Sequence, residues 1–425
     1  MFLSVNYIRI YILIVNNFNK GEIQVSNTYD LIIVGGGPAG MSAAIYGSRS
    51  RLDTLVLEAK RKTGGQPATY HDMENYPGVP ETTADELMDN FKKHAEKFDT
   101  EFKRGEVTDI KVNGFEKVIT TKKGEEYKAK SVVLAMGAEP RKLGIKGEEE
   151  LKGRGVSYCA TCDADIFEDL DVVVIGNGNS AVEESIYLTK FVNKLTMVVI
   201  HDEGVMDAEK ILQEKAMEND KIDFVWNSVV EEIKGEEMVE GVVLKNIKTG
   251  EKSELDCHGV FFFVGRVPNT DFLEGTVELT EHGYIKTNDE METNQPGVYG
   301  IGDVRNKVVR QVITAAGDGA TAAVMAQGYI EEEEYWQNNV VESDVPVLVG
   351  FWSVTHQDSM DMMSEIEGMD LDKKDCRFVK IDTYKNRLIS NRYDIDEIPT
   401  VVKIEDGEVK EKLVEPTAEE VQEIL

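Results

Sequence analysis

A chain of 425 residues has room for about two to four domains, each large enough to bury its own core. Lysine and arginine total 47 against 79 aspartates and glutamates, and a formal net charge of -32 argues against nucleic acid and anionic membrane as partners. Such acidity suits a salt-rich cytoplasm or a partner with a basic patch.

The apolar stretch Tyr7 to Val15 is too short to span a bilayer, follows no basic n-region and precedes no small-residue cleavage signal. Residues 1–27 therefore read as an N-terminal extension, with a membrane-associating segment as the alternative. Without an export signal the chain is expected in the cytoplasm, where a persistent disulfide is unusual.

Tyr29 to Val34 is a β-rich run that enters Gly35-Gly36-Gly37-Pro38-Ala39-Gly40 and then the helical pattern MSAAIYGSRS. This is the strand, turn and helix that present free N–H groups to a pyrophosphate. Gly35 serves the turn, Gly37 lets backbone approach phosphate, and Gly40 allows close helix-on-strand packing. The next strand ends at Glu58, eighteen residues beyond Gly40, where a carboxylate can accept from ribose hydroxyls. Gly64-Gly65-Gln66 and Asn75-Tyr76-Pro77-Gly78 flank a polar segment. It is either a surface loop or a cover over a bound ring, offering the Gln66 and Asn75 amides. A returning strand from Ser131 ends in Gly137-Ala138, and Arg141 marks a crossover.

Cys159 and Cys162 follow, two residues apart, with Asp163 directly behind them. Such a pair is half a metal site, a structural staple or a dithiol that cycles with a disulfide. Cys257 and Cys376 are distant singletons, and no histidine stands at finger spacing, so no metal is expected. A staple closing so small a ring stabilises little, which leaves redox cycling as the leading reading.

Asp171 to Ile175 is nearly pure β-branched apolar and leads into Gly176-Asn177-Gly178-Asn179-Ser180-Ala181, a second dinucleotide turn with alanine in the third small position. Its alternative is a duplicated fold whose site has decayed. The following strand ends His201-Asp202-Glu203. A 2'-phosphate wants arginines there; Asp202 and Glu203 repel one, and a carboxylate can hold a bare 2'-hydroxyl, so NADH is expected over NADPH. His201 either caps the strand or touches the ligand. A second crossover lies at Gly265-Arg266-Val267-Pro268-Asn269, and the buried strand at Gly297 to Gly302 delivers Asp303 at its C-terminal end. Arg310-Gln311 precede a Gly/Ala-rich helix from Thr314 to Gln327, and the run Glu331 to Glu334 reads as its solvated end.

From Val345 the composition changes: strands at Pro346–Trp352, Arg377–Ile381 and after Pro399, a hairpin turn at Asp406-Gly407, and an amphipathic helix at Pro416–Leu425. The fold class is α/β: two Rossmann-like dinucleotide-binding domains, the second inserted in the first, plus a small C-terminal α/β domain. The expected division is residues 28–139 with 271–335, around 140–270, and then 341–425.

Over residues 29–335, GGGPAG, GGQ, ENYPG, CATCD, GNGNSAVEE, GRVPNTDF, GIGDVR and RQVITAAGDGA follow the order of the low-molecular-weight thioredoxin reductases, which the chain resembles. The resemblance implies a homodimeric FAD enzyme passing electrons from a nicotinamide nucleotide through flavin to the C-x-x-C and on to thioredoxin. It implies that Gly35, Gly37, Gly40, Glu58, Gln66, Asn75, Asp303, Arg310 and Gln311 bind FAD. Gly176, Gly178 and Ala181 would line the nicotinamide nucleotide, with Asp202 beside its ribose. Cys162 would face the flavin, Cys159 would attack the substrate disulfide, and Asp163 would handle the proton. The family's H-R-R-x-x-x-R pattern is broken: His201 stands, but Asp202, Glu203 and Asp207 fill the arginine positions. Relatives without NADPH motifs, mostly from anaerobes, take electrons from reduced ferredoxin, which is a rival donor. The last domain is similar to thioredoxin, with Thr355-His356-Gln357-Asp358-Ser359 in place of W-C-G-P-C and a cis Pro399 implied. Lacking both thiols, it is expected to dock or orient a partner. A third reading is a redox-responsive scaffold that binds partners through this domain.

Overall fold

The computed structural model describes residues 28–69, 72–73, 75–80, 82–371 and 375–425; the N-terminal extension lies outside the described residues. The β-branched runs form the centres of two sheets. In the first, Thr28–Val34 lies between Thr54–Glu58 and Glu126–Leu134, parallel to both. Glu101–Arg104 extends the sheet at one edge, Glu116–Thr121 and Val107–Asn113 extend it at the other, and Val298–Gly300 returns late in the chain to pair parallel with Glu126–Leu134. The second sheet is wholly parallel, in the order Val156–Ser157, Gly259–Phe262, Asp171–Ile175, Lys194–Val198, Ile222–Val225. Both faces of its central strand are covered, so Val172, Val173 and Val174 are all buried, as a sheet packed on two sides requires. A two-stranded antiparallel ribbon, Ala138–Pro140 with Arg266–Pro268, carries the chain from one sheet to the other and back.

The helix Val312–Trp336 runs farther than its small-residue stretch, because the same element serves two cores. Near its start Ala315, Ala322, Ala323 and Ala326 pack on the first sheet beside Ala39 and Ala43 of the helix Pro38–Arg49. At its end Trp336, and Val340 just beyond it, enter the core of a third, four-stranded sheet in the order Arg377–Asp382, Val347–Trp352, Thr400–Glu405, Glu408–Val414. The Ile398-Pro399 peptide bond is cis, and Asp406 and Gly407 make the hairpin turn with positive φ. Glu331 to Glu334 is not the solvated helix end that the sequence suggests. Glu333 is 2 % exposed and forms an ion pair with Arg392, and the Glu332 carboxylate accepts from the Ile389 backbone N–H at 2.8 Å. Both contacts tie this helix to Arg387–Arg392 of the third body.

Beside this junction Lys117 is fully buried, donating to the Tyr329 hydroxyl at 2.6 Å and the Lys130 carbonyl at 2.9 Å. Burial pushes its ammonium down to about 7, against the attraction of Glu333 and with Arg392 adding to the depression. A folded value below the unfolded one means that unfolding takes up a proton between the two. The penalty is complete below pH 7 and is relieved as pH rises above it. The unfolding free energy of the native chain, measured against Lys117→Met, should therefore rise by about 2 kcal/mol from pH 7 to pH 9 and stay flat from pH 5 to pH 6.5. A difference independent of pH would show that Lys117 keeps its proton in the fold.

Candidate active site

The first glycine turn is built as its residue types demand. Gly35 has φ +106°, and a Cβ there would stand 2.4 Å from the Ala135 carbonyl oxygen; one on Gly40 would stand 1.9 Å from the Gly35 oxygen. Gly37 precedes the first residue of the helix Pro38–Arg49, with its Cβ position open to the cavity side near Gly65. Glu58 ends its strand as expected, but its carboxylate already accepts from Gly36 N at 2.8 Å and Lys60 N at 2.7 Å. It thus braces the turn, with lone pairs left for a ribose.

The long-range partners converge here. Gln66 donates to the Ala138 carbonyl at 2.5 Å, and Asn75 donates to the Gln311 side-chain oxygen at 3.2 Å. Gln311 caps the long helix reciprocally with Thr314. Burial raises the Asp303 carboxyl above its usual range, opposed by Arg266, Arg310 and Lys307. Arg310 lies over the Tyr284 ring at 4.6 Å, and its buried Nε has no partner. The loop between Asp303 and Arg310 is anchored by Asp318, which accepts from Gly302 N at 3.0 Å and Lys307 at 2.8 Å. The sequence did not mark Asp318, because its partners lie a turn or more away on a separate loop.

Cys159 and Cys162 are joined as a disulfide at the head of the short helix Ala160–Asp163. Ser157, also unmarked by the sequence, organises the segment: its hydroxyl donates to the Asp163 carboxylate at 2.5 Å and accepts from Cys159 N at 3.1 Å. Tyr158 donates to Glu148 at 2.8 Å and stacks on Phe262, which fixes the strand end from which the pair projects.

The second glycine turn repeats the first. Gly176 has φ +133°, with the Phe263 carbonyl oxygen 2.4 Å from any Cβ; Gly178 faces open space, and Ala181 is buried beneath the turn. Asn177 Nδ2 is buried without a partner, a donor with no protein acceptor to meet. Asp202 is ion-paired with Lys248, which lowers its carboxyl, and His201 contacts Asp207 at 3.2 Å. Both pairs are well exposed and hold the segment only weakly.

One cavity of about 1770 Å³ joins the two glycine turns, the cysteine pair and the Asp303, Arg310 and Gln311 segment, while Gly40, Asp163, His201 and Asp202 are not among the residues that line it. Gly35, Gly37, Cys159, Cys162, Gly176 and Gly178 all line it. That exceeds the size of an ordinary small-molecule pocket and suits two extended ligands meeting at a disulfide. The residues fit a flavin dinucleotide: an open glycine turn at a helix N-terminus, a buried guanidinium nitrogen without a partner, and amides at the rim. No cluster of His, Cys, Asp or Glu among the described residues is arranged to hold a metal, and no described helix is long and apolar enough to cross a membrane.

Comparison with known proteins agrees with this geometry. Residues 29–319 match the family described as pyridine nucleotide-disulphide oxidoreductase, and residues 328–425 match thioredoxin. The thioredoxin reductase of Peptoclostridium acidaminophilum is 48% identical over 314 residues, 72% of this chain and 98% of its own length. The chain belongs to the thioredoxin reductase family. Its relative from Bacillus subtilis (strain 168) is 45% identical over 305 residues, 72% of this chain and 95% of its own. The crystal structure of the Streptococcus pyogenes thioredoxin reductase aligns with TM-score 0.66 at 44% identity, covering 72% of this chain and 99% of that one. The Lactococcus lactis reductase in its FR conformation, with the same identity and coverage, aligns at 0.54. A thioredoxin reductase of this size class therefore spans only part of the chain, and this member carries a thioredoxin-type body on the end of the helix Val312–Trp336. Membership of the family implies a flavin and a nicotinamide nucleotide.

Proposed function

We propose that the protein reduces the disulfide of a thioredoxin-type protein, using FAD and, as donor, NADH in preference to NADPH. The observation that carries this reading is the single cavity lined by both glycine turns and by the cysteine pair. FAD would be held by Gly35, Gly37, Gly40, Glu58, Gln66, Asn75, Asp303, Arg310 and Gln311. When bound, it accepts two electrons from the donor and makes them available to the protein disulfide. The chain's own residues do the rest. Ser157 holds Asp163 beside the pair, where its carboxyl can give and take the proton of a cysteine sulfur. The Cys159 thiolate attacks the substrate disulfide and releases one thiolate; Cys162 then attacks the mixed bond, reforming Cys159-Cys162 and releasing the second. Residues 28–139 with 271–335 form the flavin domain, 140–270 the nucleotide domain with the pair, and 341–425 the thioredoxin-like domain. The protein acts as a homodimer in the reducing cytoplasm.

NADH is favoured because Asp202, Glu203 and Asp207 stand where a 2'-phosphate would need cations, while Asn177 keeps a buried donor beside the phosphate-binding turn. Stopped-flow mixing of the FAD-loaded protein with NADH should bleach the flavin absorbance, with NADPH at least about tenfold slower at equal concentration. A second reading, with reduced ferredoxin as donor, draws on the same lost arginines and on the capture of Asp202 by Lys248. No bleaching with millimolar NADH or NADPH, followed by bleaching with reduced ferredoxin, would select it. Slow thioredoxin reduction with all three donors would instead favour the scaffold reading.

A further inference from the structure

The two sulfurs of the Cys159-Cys162 disulfide meet different surroundings. Cys159, Thr161 and Cys162 all line the cavity, and Thr161 is half-buried on the short helix Ala160–Asp163. Its Oγ1 lies 3.4 Å from Cys159 Sγ. A sulfur bonded to another sulfur carries no hydrogen, so the hydroxyl is the donor and Cys159 the acceptor. Among the described residues no donor meets the Cys162 sulfur, and the Thr161 hydroxyl has no other hydrogen-bond partner. Ser157 accepts from Cys159 N at 3.1 Å and donates to the Asp163 carboxylate at 2.5 Å, so the turn that carries Thr161 is pinned on either side of it. Charge does not favour a thiolate here. The elements packed against the helix are Ala164–Phe167 and Asn179–Leu188. Their titratable groups and the helix's own are Asp163, Asp165, Glu183, Glu184 and Tyr187, with no cation among them, and Tyr158 beside Cys159 is bound to Glu148. Arg266 and Arg310 line the cavity from other elements. Carboxylates nearby disfavour a further negative charge, which leaves a neutral hydroxyl as the local group that stabilises one.

We propose that Thr161 is a further catalytic residue, whose hydroxyl carries part of the negative charge on the Cys159 sulfur each time the disulfide opens and so makes Cys159 the nucleophile that meets substrate. This rests on the dithiol reading above and gives its division of labour a cause in the chain itself. When the disulfide takes up two electrons and one proton, the bond between the sulfurs breaks, leaving one thiol and one thiolate. Thr161 favours the charge on Cys159, since the same O–H then donates to an anion, and such bonds are roughly twice as strong as neutral ones. When Cys159 attacks, its sulfur bonds to one substrate sulfur, the substrate disulfide breaks, and the other sulfur leaves as a thiolate. A hydrogen bond to the anion raises the thiolate fraction near neutral pH, yet it also weakens each thiolate, because nucleophilicity falls with basicity. The two effects oppose each other, and pH decides which wins.

The test uses the full, FAD-loaded chain carrying Cys162→Ser, in which Cys159 is the reactive thiol because Cys257 and Cys376 are buried and burial raises both. Three versions, with Thr161 intact, Thr161→Val and Thr161→Ser, react with the symmetric disulfide of mercaptoethanol, a neutral probe. Intact mass follows the mixed disulfide on Cys159 from pH 6 to pH 10. Thr161→Val keeps the side-chain shape and should raise the pH midpoint of the reaction by about one pH unit. It should therefore react about threefold more slowly than the intact version at pH 6, where the thiolate fraction decides, and about threefold faster at pH 10, where basicity decides. Thr161→Ser keeps the hydroxyl and should track the intact version throughout. Rates without that crossover, whether equal at every pH or lower by one factor throughout, overturn the proposal; the second pattern is the mark of a merely structural role. If the wild-type chain reduces thioredoxin with no donor at all, the reductase reading falls instead, and the crossover, which needs no donor, still decides Thr161.

Discussion

Replacing Cys162 by serine should lower turnover of a thioredoxin disulfide by about a thousandfold or more, because no resolving thiol remains to release the product. The loss should be chemical, not structural. Serine is close to isosteric, the pair sits half-buried at the head of a four-residue helix, and the Ser157 contacts that shape this segment run to Asp163 and the Cys159 amide, which stay in place. FAD uptake and the unfolding midpoint should therefore be near wild type. The remaining Cys159 should attack a thioredoxin whose single active-site cysteine carries an aromatic thiol as leaving group, forming a protein-protein disulfide and releasing that thiol stoichiometrically. Non-reducing electrophoresis should show the adduct. Cys159→Ser should lose turnover equally, but form the adduct at least about tenfold more slowly if Cys159 is the outward nucleophile. Equal trapping by the two variants would reverse or remove that division of labour, and wild-type turnover in either would end the dithiol mechanism.

The parts of this site that are local in sequence were legible in it. A β-branched run, a turn whose first glycine tolerates no Cβ, and a helix occupy one contiguous stretch, so Thr28–Arg49 and Asp171–Leu188 declare their geometry residue by residue. Asp406-Gly407 is local in the same sense, whereas the cis bond at Pro399 was expected only from the resemblance to thioredoxin. What stayed hidden is settled by pairing across the fold. Asp318 stands in a helix that reads as uniformly small and apolar, and its purpose appears only when Gly302 and Lys307 arrive beside it. Arg266 meets Gln66 at a separation of 200 residues, and Lys117 meets Tyr329 at 212, distances over which no periodicity speaks. Ser157 was the exception: it lies two residues before Cys159, yet a serine at that spacing is too common to signal the carboxylate it holds. The glutamate run misled for a related reason. Four consecutive acids resemble a solvated face, and nothing within a helical turn of Glu333 announces the arginine 59 residues later.

That arginine carries the second large expected effect. Arg392→Ala should destabilise the chain by about 2–3 kcal/mol, because it leaves the 2 % exposed Glu333 carboxylate without its ion-pair partner. The cost falls below that of breaking a fully buried pair because the guanidinium is itself 36% exposed and partly screened. Lys117 should offset some of it: Arg392 now disfavours the lysine's proton, so its removal lets the ammonium form opposite Glu333. The double variant Arg392→Ala with Glu333→Gln should recover much of the loss, since an uncharged amide is cheaper to bury than an orphaned carboxylate. Urea unfolding of the three proteins, each also carrying Trp226→Phe and Trp352→Phe so that Trp336 is the only tryptophan, followed by fluorescence and far-ultraviolet circular dichroism together, measures both the energy and its location. Trp336 closes the helix shared by the first and third sheets and lies in the core of the third, so a single coincident transition in the wild type should separate into two when the pair is broken. The same packing predicts that ending the chain after Val340 would expose Trp336 and Val340 on the reductase, so a soluble truncation should also need those two side chains made polar. A third body fixed through a continuous helix whose other end is capped by Gln311 beside the cavity cannot be a freely tethered passenger; coincident, unshifted transitions in Arg392→Ala would show that the pair is not what holds it there.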